Sequence, residues 1–225
     1  MNTHGVTLLI FSFLYVFLYV HVKAAPPFDC DFEKGLCGWQ GDKRGNFQWT
    51  RGRGSNKPYN TGPTVDHTLG TSDGYYMYIR AIQQKRGHKA RLISPDVDAS
   101  KSQQCVSFWY HMNGKDIDRL NVFVTRSQRI LKLGTRPKWQ KKRNQGTKWL
   151  FATMDIPKQA TKLKVVFEGV VGKGQRGDIS IDDVTIQPTS CQNSKYSNIQ
   201  LHNPAMMMNY HFGKLNYVNK KSCSF

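Results

Sequence analysis

The chain has 225 residues, 39% of them hydrophobic and 12% aromatic, with 33 Lys and Arg against 15 Asp and Glu for a formal charge of +18. That apolar content excludes a disordered chain, and the length suits one β-domain of roughly 150–200 residues or two small ones. The positive excess points to an acidic partner surface: glycan, nucleic acid or anionic membrane.

Residues 6–20 form a nearly pure apolar run, VTLLIFSFLYVFLYV, followed by His21, Lys23 and Ala24-Ala25-Pro26-Pro27. A helix of that length reaches roughly 22 Å, short of a ~30 Å hydrocarbon core. Val22 and Ala24 supply small residues for cleavage, so residues 1–24 read as a signal peptide. The rival reading is an uncleaved signal anchor, because no Lys or Arg precedes the run. No second apolar run follows, which predicts a secreted, extracellular protein without a transmembrane span in its mature form. That form keeps 32 cations against 15 acids, a charge of +17. It also holds Cys30, Cys37, Cys105, Cys191 and Cys223, so disulfides are the default and one thiol is left over.

From Phe28 to Cys191 the chain reads as short strands broken by Gly, Pro and Asn. Val106, Phe108, Tyr110 and Met112 alternate with Cys105, Ser107, Trp109 and His111. Residues 120–125 and 150–156 read as two more strands, and Leu163, Val165 and Phe167 alternate against Lys162, Lys164 and Glu168. Turn signals at Asn113-Gly114, Gly134 and residues 172–177 separate them. The fold class is all-β, an antiparallel sandwich. In the last strand, Ile179 and Ile181 share one parity and Val184 and Ile186 the other. A β-bulge at Asp182-Asp183 keeps all four on the core side and turns one carboxylate inward, where it needs a partner. Cys191 closes the domain. Residues 192–225 are polar, basic and weakly patterned, and read as a flexible tail.

Several motifs now stand in order: Phe28-Asp29-Cys30-Asp31-Phe32-Glu33 with Gly35-Leu36-Cys37-Gly38-Trp39; Thr61-Gly62-Pro63 with Asp66-His67-Thr68; and Ala90-x-Leu92-x-Ser94-Pro95. Residues 105–114, CVSFWYHMNG, follow, then Val166-Phe167-Glu168-Gly169 and residues 178–184, DISIDDV. Together they resemble the MAM domain of meprins, neuropilins and receptor tyrosine phosphatases, with residues 25–191 as the domain. The resemblance implies a two-sheet, jelly-roll-like β-sandwich that serves extracellular adhesion and assembly rather than catalysis. It implies the disulfides Cys30–Cys37 and Cys105–Cys191, leaving Cys223 for an interchain bridge and a covalent dimer, or as a free or capped thiol.

Local matches to other chemistry fail on context. Residues 70–74, GTSDG, fit a nucleophile elbow, but a strand candidate follows where a helix is required. Residues 172–177, GKGQRG, fit a dinucleotide fingerprint with the same defect. The seven His show no metal-binding pairs, so no catalytic zinc is expected and the chain reads as a non-enzyme. Arg176-Gly177-Asp178 spells RGD, a candidate integrin motif if displayed on a loop tip. Asp31, Glu33, Asp66, Asp182 and Asp183 fall within the resembled motifs. Asp31, Glu33, Asp66 and Asp183 are candidate hard-oxygen ligands for a structural Ca²⁺ or Na⁺; otherwise no cofactor is expected.

The charge is concentrated. Arg126, Arg129, Lys132, Arg136, Lys138, Lys141, Lys142, Arg143 and Lys148 follow one another with no intervening acid. Residues 139–144 are expected in a hairpin loop between strands ending near Leu133 and beginning near Leu150. A second cluster, Lys85, Arg86, His88, Lys89 and Arg91, either extends this patch or lies on another face. The expected partners are an extracellular protein or matrix surface and heparan-sulfate-type glycans; export disfavours nucleic acid. The alternative is a lectin-like carbohydrate-binding protein; a sugar platform needs exposed Trp or Tyr and a charge-driven site clustered Lys and Arg, and Trp139 and Trp149, which flank the basic run, fit either reading.

Overall fold

The computed structural model describes residues 29–55, 57–126 and 135–193. The expected signal peptide at residues 1–24, the expected tail beyond Asn193 and Cys223 lie outside the described residues. Among those described, the chain forms β1 (Gln40–Gly41), β2 (Thr50–Arg53), β3 (Tyr75–Arg80), β4 (Lys89–Ile93) and β5 (Gln104–Asn113). It continues through β6 (Ile117–Arg126), β7 (Trp139–Lys142), β8 (Leu150–Ile156), β9 (Leu163–Val171) and β10 (Asp178–Gln187). A front sheet runs β1-β4-β9-β6-β7 and a back sheet β2-β3-β10-β5-β8. Every pairing is antiparallel. The fold is the all-β, two-sheet sandwich that the strand pattern predicts.

Period-2 alternation builds the core. Val106, Phe108, Tyr110 and Met112 of β5 enter it, as do Leu163, Val165 and Phe167 of β9. Phe108 meets Phe167 edge-on across the two sheets at 4.9 Å, and Trp39 packs on Phe167 at 5.5 Å. Burying each such aromatic contributes about 2–3 kcal/mol relative to leaving it in water. The predicted bulge is present. The β10–β5 register shifts between Asp182 and Thr185, Asp183 takes a φ of +45°, and Ile179, Ile181, Val184 and Ile186 all reach the core.

The basic stretch departs from expectation. β6 ends at Arg126, and Trp139–Lys142 is an edge strand pairing with it, with Asn121 opposite Gln140 and Arg119 opposite Lys142. Two tertiary anchors make it a strand rather than a hairpin loop. Trp139 packs edge-on against Phe108 and Tyr110, 5.1 Å from each, and Gln140 Nε2 donates to Asn121 Oδ1 at 2.6 Å. Lysines on an exposed edge strand also discourage edge-to-edge pairing.

Both implied disulfides form, Cys30–Cys37 and Cys105–Cys191. Strand order gives the sandwich two poles. The β3–β4, β5–β6, β7–β8 and β9–β10 turns gather at one; the β4–β5 and β8–β9 connections gather at the other. Cys30 pairs with Val184, and Asp29 Oδ1 accepts the Ile186 N–H, so the chain enters the domain near the second pole.

Candidate functional site

Residues 61–74 lie over the outer face of the back sheet, tied down by acidic side chains. Asp66 accepts the Leu69 and Thr71 N–H groups at 2.6 and 2.9 Å. Asp182 does not turn into the core as expected: it stays on the outer face opposite Trp109, buried beneath this segment, and accepts the His67 and Asp183 N–H groups, both at 2.9 Å. Asp183 accepts from Thr68 Oγ1 at 2.7 Å and meets His67 Nδ1 at 2.5 Å. Glu33 accepts the Tyr75 N–H at 2.7 Å, and Asp31 the Glu33 N–H at 3.0 Å. The acids expected to share a Ca²⁺ or Na⁺ are therefore engaged separately. Among the described residues, no three His, Cys, Asp or Glu side chains converge as a metal-binding group.

The aromatic residues on this face are packed. The His67 ring stacks on Trp109 at 3.7 Å, and the Trp149 indole donates to the Val65 carbonyl at 2.9 Å. Trp149 and Trp139 are thus held by internal contacts rather than presented as a sugar platform. GTSDG runs into β3 and GKGQRG into β10, so neither is followed by the helix its chemistry requires.

Two buried groups on the back sheet have displaced pKa values. Burial lowers His111 to about 4, opposed by a hydrogen bond to the Thr147 backbone. Burial also raises Asp182 to about 8, helped by the neighbouring Asp183 and Asp66 charges and opposed by the two N–H bonds it accepts. Their effects on stability have opposite signs. As pH falls below 6.5, the unfolded chain protonates its histidine before folded His111 does, so stability is lost down to about pH 4. Folded Asp182 holds its proton up to about pH 8 while the unfolded chain has lost it, so its contribution declines as pH rises. Acidification from pH 7 to 5 should therefore remove about 2 kcal/mol of the stability difference between the native chain and His111→Gln. The Asp182 slope is common to both proteins and cancels. Urea unfolding at the two pH values measures it, and a difference independent of pH contradicts the assignment.

The nine predicted cations do not share one loop. Arg129 and Lys132 lie outside the described residues. Arg126 ends β6 and Arg136 and Lys138 precede β7, whereas Lys142, Arg143 and Lys148 lie toward the pole where the β7–β8 turn sits. Lys141, Lys142 and Arg143 are exposed. The second cluster divides as well. Lys89 stands in one register row with Val170, Arg119 and Lys142 on the outer front face, a span of about 14 Å over three strand spacings. Arg91 is taken up by Glu168 at 2.7 Å and Asp42 at 3.6 Å. Asn121 Nδ2 donates to the same Glu168 at 3.0 Å, so a polar chain crosses the sheet from Asp42 to Gln140. Its members lie far apart in sequence, and no local pattern announces it.

The RGD tripeptide is not displayed for an integrin. Asp178 is only 4% exposed, because it opens β10 within the ladder. Arg176 lies over the Tyr59 ring at 5.4 Å. The glycines around it have a different purpose. Asp116 donates its N–H to the Arg176 carbonyl at 2.9 Å and accepts the Arg176 N–H through Oδ2 at 2.8 Å. Gly114 and Gly174 adopt φ of +111° and +115°; a Cβ would fall 2.4 Å from the Arg176 carbonyl oxygen and 2.5 Å from the Asp116 carboxylate. Glycine lets these two turns touch. The neighbouring turns join them: Gly87 N–H donates to Val171 at 2.9 Å, Ala81 N–H to Gly177 at 2.8 Å, and Arg143 N–H to Asp118 at 2.8 Å.

Comparison with known proteins agrees with this architecture. Residues 30–192 match the MAM domain, meprin/A5/mu. The chain is similar to Thyroid hormone-induced protein B of Xenopus laevis, at 39% identity over 168 residues, which is 75% of this chain and 24% of that protein. It is 40% identical over 169 residues to MAM domain-containing glycosylphosphatidylinositol anchor protein 1 of Gallus gallus, covering 72% of this chain and 17% of the relative. The chain thus spans less than a quarter of the length of these relatives. Among solved structures, the K1 cleaved adhesin domain of Lys-gingipain from Porphyromonas gingivalis W83 superposes with a TM-score of 0.52 at 16% identity, covering 72% of this chain and 98% of that one. That likeness concerns the fold alone. The family match over most of the described domain, together with these relatives, establishes that the chain belongs to the MAM domain family.

Proposed function

We propose that this chain is a non-catalytic extracellular adhesion or interaction module that engages sulfated, heparan-sulfate-type glycans through the cations of β7 and its flanks. The observation that carries the reading is the exposure of Lys141, Lys142 and Arg143 at the end of an edge strand, with Lys142 in the register row of Arg119 and Lys89. No acid occurs between Asp118 and Asp155 beside Lys141, Lys142 and Arg143, whereas Arg119 is ion-paired to Asp118. Two disulfides suit an oxidising, extracellular setting. The relatives' names, with a glycosylphosphatidylinositol anchor among them, support a place at the cell surface. Internal packing of Trp139 and Trp149 favours recognition by charge over sugar stacking.

Binding of this kind is driven by counterion release and weakens steeply with salt. Lys141→Ala/Lys142→Ala/Arg143→Ala should elute from immobilised heparin at clearly lower salt than the native chain. Coincident elution, or loss of both proteins at physiological salt, refutes the reading.

A further inference from the structure

We infer that the pole built from the β3–β4, β5–β6, β7–β8 and β9–β10 turns is itself a binding surface for a linear sulfated polysaccharide, continuous with β7. The inference rests on the sulfated-glycan reading and extends it to residues outside the basic stretch. Lys85 and Arg86 come from the first turn, Lys115 from the second, Arg143 from the third, and Lys173 and Arg176 from the fourth. All six are exposed. Hydrogen bonds join the four turns into one platform, so these cations are near neighbours although 91 positions separate the first from the last.

The platform's acids do not offset them. Among the described residues these turns hold one carboxylate, Asp116, and the strands that adjoin them add Asp118 and the buried Asp178. Asp116 is buried beneath the Arg176 N–H, and Asp118 is ion-paired to Arg119. The opposite pole is built differently: Asp96 pairs with Lys164 at 3.0 Å, and Asp98 lies within electrostatic reach of Lys101 and Lys162. Solubility is served by interspersed charges such as those. Six like charges on adjoining rigid turns repel one another and leave a concentrated positive potential that a polyanion relieves.

The geometry selects a long, flexible chain. The Lys89–Arg119–Lys142 row leads across the front face, and Arg143, hydrogen-bonded to Asp118, carries it round onto the pole. An anionic membrane suits the surface less well. The exposed Leu36, Leu69 and Phe151 lie outside these turns, and the Tyr59 ring is faced by Arg176, so the pole offers no apolar wedge.

The test uses the full chain in its disulfide-bonded form. Lys85→Ser/Arg86→Ser/Lys115→Ser/Lys173→Ser leaves β7 intact, and Lys101→Ser/Lys158→Ser/Lys162→Ser is the control at the opposite pole. Urea midpoints equal to that of the native chain verify folding. On heparin, the first variant should elute at lower salt, and its plot of log affinity against log salt should be shallower by about one for each sulfate no longer neutralised. The control should elute with the native chain, and heparin dodecasaccharide should compete far better than tetrasaccharide. If the native chain is retained and both variants elute with it, the pole is not a site while the β7 reading stands. A native chain that washes off at physiological salt removes both. If the pole variant loses binding only to phosphatidylserine vesicles or duplex DNA, the pole serves another polyanion and the inference is overturned.

Discussion

Replacing Cys105 and Cys191 together with serine is expected to remove about 4–5 kcal/mol of stability, the chain-entropy value for a loop of this size. The bridge spans 86 positions and joins the start of β5 to Cys191, just after β10. Those two strands are central neighbours in the back sheet. Without the bridge the unfolded chain regains the freedom of half the domain, while the folded state loses its clamp on the last strand. A domain of this size has about 5–15 kcal/mol in total, so the variant should melt roughly 10–18 °C lower. The Cys30–Cys37 pair closes only seven positions, and its removal should cost about 2 kcal/mol. Calorimetry of the two double variants gives the ratio. Equal losses would show that loop closure does not govern the effect.

The second large effect is expected at Arg91. Its guanidinium is the cation beside Glu168, whose side chain is 3% exposed, and it also reaches Asp42. Arg91→Ala leaves the Glu168 carboxylate buried with only the Asn121 amide, and breaking a buried pair from one side typically costs about 3–5 kcal/mol. Arg91→Met/Glu168→Met should recover most of that loss, because it removes the buried charges together and keeps the volume. Urea unfolding of the single and double variants decides it. A single variant within about 1 kcal/mol of the native chain would mean that water solvates Glu168 once Arg91 is gone.

Much of the sandwich is legible in the sequence because its central strands alternate strictly. Val106 to Met112 and Leu163 to Phe167 declare their buried faces, and the parity slip at Asp182-Asp183 locates the bulge. β7 is not legible. Trp139–Lys142 has a single apolar residue, and what makes it a strand is Phe108, Tyr110 and Asn121 on other strands. The acids illustrate the same limit: their presence in family motifs suggests one shared cation, but only the fold shows Asp31, Glu33 and Asp66 accepting backbone N–H groups and Asp183 accepting the Thr68 hydroxyl. RGD fails for a similar reason, since a tripeptide cannot report that its aspartate lies inside a ladder. The turn platform has one sequence signal. Glycines at 114, 172, 174 and 177 mark a place where backbones touch, while the cations of the platform are scattered over separate turns in the linear chain.

The position of the chain's entry and exit has a mechanical consequence. Cys30 meets Val184 and Cys191 follows β10, so both flanks leave from the same end of the sandwich, remote from the turns bearing Lys85, Lys115 and Lys173. A tether attached to either flank holds those turns outward. Tension between a polymer gripped there and the tether would run lengthwise along the strands, loading the β10–β5 ladder in shear so that its hydrogen bonds resist together rather than opening one at a time. The Cys105–Cys191 bridge stands where that load enters, and it would hand the pull from the last strand to its neighbour before the ladder could unzip.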